Sequence, residues 1–273
     1  MIIKYSFIIY NMCVNLLFAK KIIIYQPYGG LGDNLQFSTL PEIFNKKGIE
    51  CYIHINNSTR NDDEVYNLIW GLNPFIVGKS NDTPNAGSCR LEYWPPENIN
   101  KWFIERIEIS HNLEPSSYYP KIYYEPKNIL DLSNTIFIDL TGVSQIFSFK
   151  KYKEFIDYFV PKIINKNKVI KIVNRKKYIS SHFEEVYNYL KTRINNIEYY
   201  MIDSLYTYCD VINSCYMLIV QNSGIHSLAA AIKQDSKLPN ILCFNQRQTY
   251  TEKQNKGYYN YKNVEYYSSK ISN

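Results

Sequence analysis

The chain has 273 residues, which at roughly 150 residues per domain is enough for two modest domains or one large one. With 45% hydrophobic and 21% charged residues, 10 glycines and 11 prolines, it reads as globular, and wholesale disorder, collagen-like and low-complexity classes are excluded. The 31 basic against 25 acidic residues leave a net charge of +6. No long Lys/Arg block is present, so no nucleic-acid partner is indicated, and the balance suits phosphate-bearing small molecules or an anionic membrane surface.

Residues 1–19 open with Lys4 and an apolar stretch in the outline of a signal peptide. The stretch is too short to span a bilayer, Asn11 and Asn15 interrupt it, and no small-x-small cleavage pattern precedes Lys20. Three readings stay open: a cleaved signal, a start placed upstream of the true one, and a membrane-surface anchor. The run Lys21–Tyr25, apolar and β-branched and ended by Pro27 and Gly29, predicts a buried parallel strand. From Asn34 the apolar residues Leu35, Phe37, Leu40, Ile43 and Phe44 recur at helical spacing, with Gly48 as the stop. A second strand follows over 50–55. This order, strand, loop, helix, strand, begins a doubly wound α/β unit.

The next stretch is looser, with a helix predicted over 62–70, a strand over 75–77, a loop over 79–90 and a helix over 98–109. The Pro- and Tyr-rich segment 114–126 has no clean period and reads as a connection between domains. A second α/β series then begins with a strand over 135–140, the loop Thr141-Gly142-Val143-Ser144 and a helix over 152–164. Strands over 169–173, 198–201, 216–220 and 240–244 alternate with helices over 181–193, 205–212 and 225–233. The polar, Tyr-rich end reads as a packed or a frayed tail. The expected organisation is a leader (1–19), an N-terminal Rossmann-like domain (20–126) and a C-terminal Rossmann-like domain with its tail (127–273).

Two motifs carry chemistry. Gly29, Gly30 and Gly32 sit between the first strand and first helix, where missing side chains let a ligand approach the backbone and free amides favour anions. The dinucleotide fingerprint fails because Leu35 stands at its third glycine, so NAD binding is not expected. Asp33 opens the helix; it serves either as a helix-start carboxylate or as a base at the mouth of an α/β crevice. The second motif, Asn222-Ser223-Gly224-Ile225-His226 followed by an Ala-rich helix, places amides, a hydroxyl and a helix dipole as a diphosphate cradle. The bland alternative is an ordinary cap, with His226 a structural histidine.

Other signals are set aside. Gly78-Lys79-Ser80 mimics a P-loop, but Asn73 stands where the first glycine is required. The four histidines and Asp62-Asp63-Glu64 lack metal-ligand spacing, so no metal site is expected. The six cysteines are scattered with no C-x-x-C pair, which argues against zinc and a disulfide framework and for a reducing, cytoplasmic location. No G-x-S-x-G elbow supports a serine hydrolase.

Together, Gly30-Leu31-Gly32-Asp33 after an N-terminal strand and the late block ending Asn222-Ser223-Gly224-Ile225-His226-Ser227-Leu228-Ala229-Ala230-Ala231 resemble the heptosyltransferase-like glycosyltransferases. These carry a G-x-G-D loop and a D-S/T-G-x-x-H-L-x-A-A block. The resemblance implies a GT-B fold, two Rossmann-like domains facing across a cleft, with the nucleotide sugar held mainly by the C-terminal half and the acceptor by the N-terminal half. It places Asp33 on the family's catalytic base and Ser223 and Gly224 on its phosphate turn. Lys150, in Lys150-Lys151-Tyr152 after the Thr141, Gly142 and Ser144 loop, matches a lysine that contacts the donor diphosphate. Asn222 replaces the usual Asp, and the histidine comes one residue early. The double-glycine opening also resembles a fucosyltransferase G-G-L-G-N loop, which leaves the sugar open.

The expected activity is transfer of a sugar from a nucleoside-diphosphate donor to a glycan or lipid-linked glycan acceptor, inverting and metal-independent, the absence of a D-x-D pair agreeing with the last point. No cofactor beyond the donor is expected, and peripheral contact with the inner membrane surface is compatible with the charge. The rivals are a sugar-nucleotide epimerase of similar architecture and a non-catalytic nucleotide-sugar binding protein.

Overall fold

The first strand, β1 (Lys21–Tyr25), buries all three of its isoleucines, which requires packing on both faces and places it inside a parallel sheet. A computed structural model of the chain describes residues 21–88, 101–140, 147–175, 183–234, 240–244 and 261–267. The leader and the Thr141, Gly142 and Ser144 loop lie outside these residues. The helix expected from Asn34 onward is two short helices, α1 (Leu31–Leu35) and α2 (Leu40–Asn45). The break has a local cause: Ser38 Oγ donates to the Leu35 carbonyl (2.8 Å) and accepts the Lys121 amide (2.8 Å), drawing the backbone out of helical pairing. Pro41 then starts α2, where its missing N–H costs nothing. Gly48 provides the expected stop, at φ +72°.

Strand β2 (Glu50–His54) pairs parallel with β1. The helix expected over 62–70 starts as α3 (Asp63–Tyr66), capped by Asp62, and widens into a π turn over Asn67–Gly71 that points Leu68, Ile69 and Trp70 into the core. Strand β3 (Ile76–Ser80) lies later than predicted, and β4 (Ala86–Gly87), inside the predicted loop, is too short to carry a hydrophobic pattern. Helix α4 (Phe103–Ser110) follows.

The second series is β5 (Thr135–Asp139), α5 (Phe149–Ile163), β6 (Val169–Arg175), α6 (Phe183–Arg193), β7 (Ile197–Ile202), α7 (Leu205–Ser214), β8 (Met217–Gln221), α8 (Gly224–Ile232), β9 (Asn240–Phe244) and β10 (Val264–Tyr267). Helix α5 shows why these helices form: Tyr152, Phe155, Ile156, Phe159, Val160 and Ile163 are buried along one stripe at helical spacing. Of the tail, the described residues 261–267 are packed: β10 pairs with β9, and Tyr261 is fully buried.

Both sheets are all parallel, ordered β3-β2-β1-β4 and β10-β9-β8-β5-β6-β7. The six-stranded order is the doubly wound one, with its reversal between β5 and β8. In the four-stranded sheet the reversal falls between β1 and β4. One hydrophobic cluster joins the four-stranded sheet to α7 and α8, including Leu35, Phe37, Trp70, Leu228 and Ala229, while a second lies under α5 and α6. The segment 114–126 carries no helix or strand, as expected of a connection.

Candidate active site

In open parallel sheets, ligands bind beyond the carboxyl ends of the strands where the strand order reverses. The end of β1 is such a point and runs into the glycine loop; the ends of β5 and β8 form the other, and β8 runs into Asn222 and Ser223. The two motifs therefore occupy the two switch points. They also meet. A side chain on Gly224 would place its Cβ 2.8 Å from the Gly32 nitrogen and 2.8 Å from Leu31 Cβ, and one on Gly32 would lie 3.1 Å from Gly224 Cα and 3.8 Å from Ser227 Oγ. The starts of α1 and α8 abut backbone to backbone at Gly32 and Gly224, flanked by the Leu31 and Ser227 side chains.

Most of the glycines thus make room for the chain itself. A Cβ on Gly29 would strike the Asp33 carboxylate at 2.4 Å. Gly30 faces an exposed side chain, with Arg60 Nε 3.5 Å from its Cβ position. The expected ligand approach is met by helix packing at Gly32 and by Asp33 at Gly29.

Asp33 is half-buried and folds back on its own loop. Its Oδ2 accepts the Gly30 amide (3.2 Å) and its Oδ1 accepts Gln36 Nε2 (3.4 Å), the reciprocal half of a capping box. It is a cap in this structure, and its partial exposure leaves it at the rim of the crevice. Beside it, Tyr28 is 78% exposed.

On the other side, Ser223 Oγ accepts the Ile225 amide (3.3 Å) and opens α8. His226 is fully buried; its Nδ1 lies 2.6 Å from the Ser223 carbonyl, and its ring packs against Tyr261 at 5.3 Å. These contacts make His226 a brace for the turn. Asn222 is buried, its amide donating to the Phe244 carbonyl (2.9 Å). Lys150 stands exposed in the first turn of α5. Because β5 and β8 are parallel neighbours, that helix follows the strand beside the Ser223 turn.

Under this edge lie buried polar pairs: Tyr208 donates to Asp139, and Tyr152 Oη donates to Gln221 Oε1 (2.8 Å). Asp139 and Gln221 terminate the two strands at the switch point, and nothing in their sequence context marks them. Arg60 was likewise missed; two adjacent non-glycine residues in the left-handed region, Arg60 at φ +57° and Asn61 at +55°, leave no sequence signature. The described cysteines Cys51, Cys209, Cys215 and Cys243 are free and buried. Burial pushes the Cys51 and Cys215 thiols up to about 12 and raises those of Cys209 and Cys243 well above the ordinary thiol value, so they are poor nucleophiles. Among the described residues no three His, Cys, Asp or Glu side chains group as metal ligands, and no helix is long and apolar enough to cross a membrane.

No protein-family model matches the sequence, and no curated protein matches it. Solved structures do. The glycosyl transferase family 9 protein of Veillonella parvula superposes with a TM-score of 0.57 at 10% identity, over 91% of this chain and 85% of that one. Heptosyltransferase WaaC of E. coli, solved with ADP, gives 0.51 at 12% identity over 91% and 93%. The iron-containing dodecameric glycosyltransferase TibC of enterotoxigenic E. coli gives 0.52 at 12% identity, over 82% of this chain but only 57% of TibC. The chain thus spans little more than half of TibC. At such identities the likeness establishes the fold alone: an α/β fold with two parallel sheets that matches the heptosyltransferase structures.

Proposed function

We propose that the chain is a nucleotide-sugar-dependent glycosyltransferase of the heptosyltransferase-like kind, transferring a sugar to a glycan or lipid-linked glycan acceptor with inversion and without a metal. The observation that carries this reading is the meeting of the two motifs, each at a switch point, through Gly32 and Gly224. A donor lying across that junction has the start of α8 on one side and a carboxylate on the other. The similar heptosyltransferase structures with ADP and with ADP-D-beta-D-heptose support a nucleoside-diphosphate donor.

In this mechanism the acceptor oxygen forms its bond to the anomeric carbon as the bond from that carbon to the diphosphate oxygen breaks. The acceptor proton passes to Asp33, and the leaving diphosphate takes the electron pair. The Ser223 oxygen already accepts a cap bond, so its hydroxyl proton is available to the diphosphate. The first-turn amides of α8 and the Lys150 ammonium add positive potential there. Asp33 gives up its hold on the Gly30 amide as it turns to the acceptor, a modest cost because that bond lies at a half-exposed loop.

The same capping bond is what a non-catalytic nucleotide-sugar binding protein would show, and one substitution separates the readings. Asp33→Asn keeps an oxygen to accept the Gly30 amide but cannot take up a proton. With each nucleotide sugar of a panel and its acceptor, turnover should fall roughly 10²–10⁴-fold with donor affinity unchanged. Wild-type binding of donor without turnover, or a variant with normal turnover, defeats Asp33 as the base. Consumption of donor without acceptor identifies an epimerase.

A further inference from the structure

We propose that Asn34 is a positioning residue: its side-chain amide ties the glycine loop to the loop after β2, so that Asp33 and Arg60 are held as one rigid rim. The kinetic consequence rests on the glycosyl-transfer reading; the coupling of the two loops does not.

Asn34 is fully buried. Its Nδ2 donates to the Gly30 carbonyl in the glycine loop (2.9 Å) and to the Ser58 carbonyl in the second loop (2.9 Å). Its Oδ1 accepts Asn57 Nδ2 (2.8 Å) and the Trp70 indole N–H (2.9 Å). A primary amide has two donor protons and one oxygen with two lone pairs, so every bonding direction is in use. Turning the amide over would set donors against donors and carbonyl against carbonyl, which fixes its orientation.

Further bonds run between the same loops. Ser58 N donates to the Gln26 carbonyl (2.8 Å), Gln26 N to Asn57 Oδ1 (2.8 Å), and Ser58 Oγ to the Gly29 carbonyl (3.3 Å). The second loop needs such support, because Arg60 and Asn61 are adjacent non-glycine residues at φ +57° and +55°, a conformation that persists only where its surroundings over-determine it. Arg60 then lies over Gly30, and Asp33 precedes Asn34 in α1. The π turn has a role here as well, since it delivers the Trp70 indole to Asn34. Aspartate at 34 cannot donate to the two carbonyls, and leucine would take the Asn34 bond from the Ser58 carbonyl, Asn57 Nδ2 and the Trp70 indole, while the Gly30 carbonyl keeps the residue-34 backbone amide.

The test uses the full chain and three variants: Asn34→Asp, Asn57→Ala, and Trp70→Phe, which keeps an aromatic ring while removing the indole donor and part of the buried ring volume. Amide hydrogen exchange should quicken together in residues 28–34 and 56–61, about tenfold or more, with β1 and β2 still protected. In sugar transfer, kcat should fall roughly 10–100-fold while affinity for ADP, GDP or UDP stays within about threefold. Exchange quickening in one loop alone, or across the whole four-stranded sheet, overturns the proposal, as does an unchanged kcat in an active enzyme. Should Asn34→Asp not fold, the other two variants decide by the same measures. If the wild-type chain neither binds a nucleoside diphosphate nor transfers sugar, the transfer reading fails and the exchange result alone judges the coupling.

Discussion

Replacing Gly224 by alanine introduces a single methyl at the junction of α1 and α8. Its carbon would sit 2.8 Å from both the Gly32 nitrogen and Leu31 Cβ, where ordinary contact begins at 3.4 Å. The neighbour at Gly32 is backbone and cannot rotate away, so the two helix starts must part by ~0.6 Å or more. Overpacking of this kind costs about 1–3 kcal/mol, offset by less than ~1 kcal/mol of improved helix propensity at a first-turn position. A net loss of about 1–2 kcal/mol lowers Tm by roughly 2–4 °C in a chain of this size. Gly32→Ala should cost less, its nearest contact being 3.1 Å from Gly224 Cα, and Gly78→Ala, with nothing within 4 Å, should cost nothing. The double variant at 224 and 32 should lose less than the sum, because the first methyl has already opened the gap. Thermal unfolding of the four variants followed by circular dichroism measures the order. Equal stability of Gly224→Ala and wild type, or an equal loss at Gly78, would refute the contact.

Lys150→Ala should weaken nucleoside-diphosphate binding by roughly 1.5–3 kcal/mol and leave the free nucleoside unaffected; calorimetry with both ligands separates the proposed phosphate contact from a structural lysine, which would cost both equally. At Glu42, burial alone pushes the carboxyl up, but bonds from Lys121, Lys46 and Tyr123 outweigh it and hold it down to about 2, against an ordinary 4.5. Its stabilisation is present above pH 4.5 and lost as pH falls toward 2. Glu42→Gln should therefore cost about 1–2 kcal/mol at neutral pH, allowing for the exposed lysine partners, with the gap to wild type closing in urea titrations near pH 2–3. A gap that does not change with pH would place the loss elsewhere.

The alternation of strands and helices was legible because β5 and β8 at the centre of the second series are fully buried apolar runs and its helices carry apolar stripes, as in α5. Prediction failed where tertiary contacts set local structure. Ser38 breaks a helix partly by accepting the amide of Lys121, a partner far along the chain, and β4 exists only because Ala86 and Gly87 pair with Ile24 and Tyr25. At the site, the positions of Asp33 and Ser223 at helix starts were readable from caps and glycines. What the glycines accommodate was not, since no sequence pattern shows that Gly32 and Gly224, nearly two hundred residues apart, occupy the same junction. Asn34 was equally hidden: an asparagine after an aspartate reads as helix-start polarity until its four partners are known.

The packing of Tyr261 has a consequence for how the chain is made. This tyrosine donates from its hydroxyl to Ser227 Oγ (2.9 Å), braces His226, and reaches Phe103 of α4 at 6.4 Å between ring centroids. The N-terminal sheet is synthesised first, yet part of the packing around α1 and α4 comes from α8 and from residue 261. During synthesis at about 5–20 residues per second, those helices stay partly uncovered for on the order of ten to forty seconds while most of the polypeptide is still being added. Slowing the codons after α8 should therefore raise the fraction that aggregates before β10 arrives.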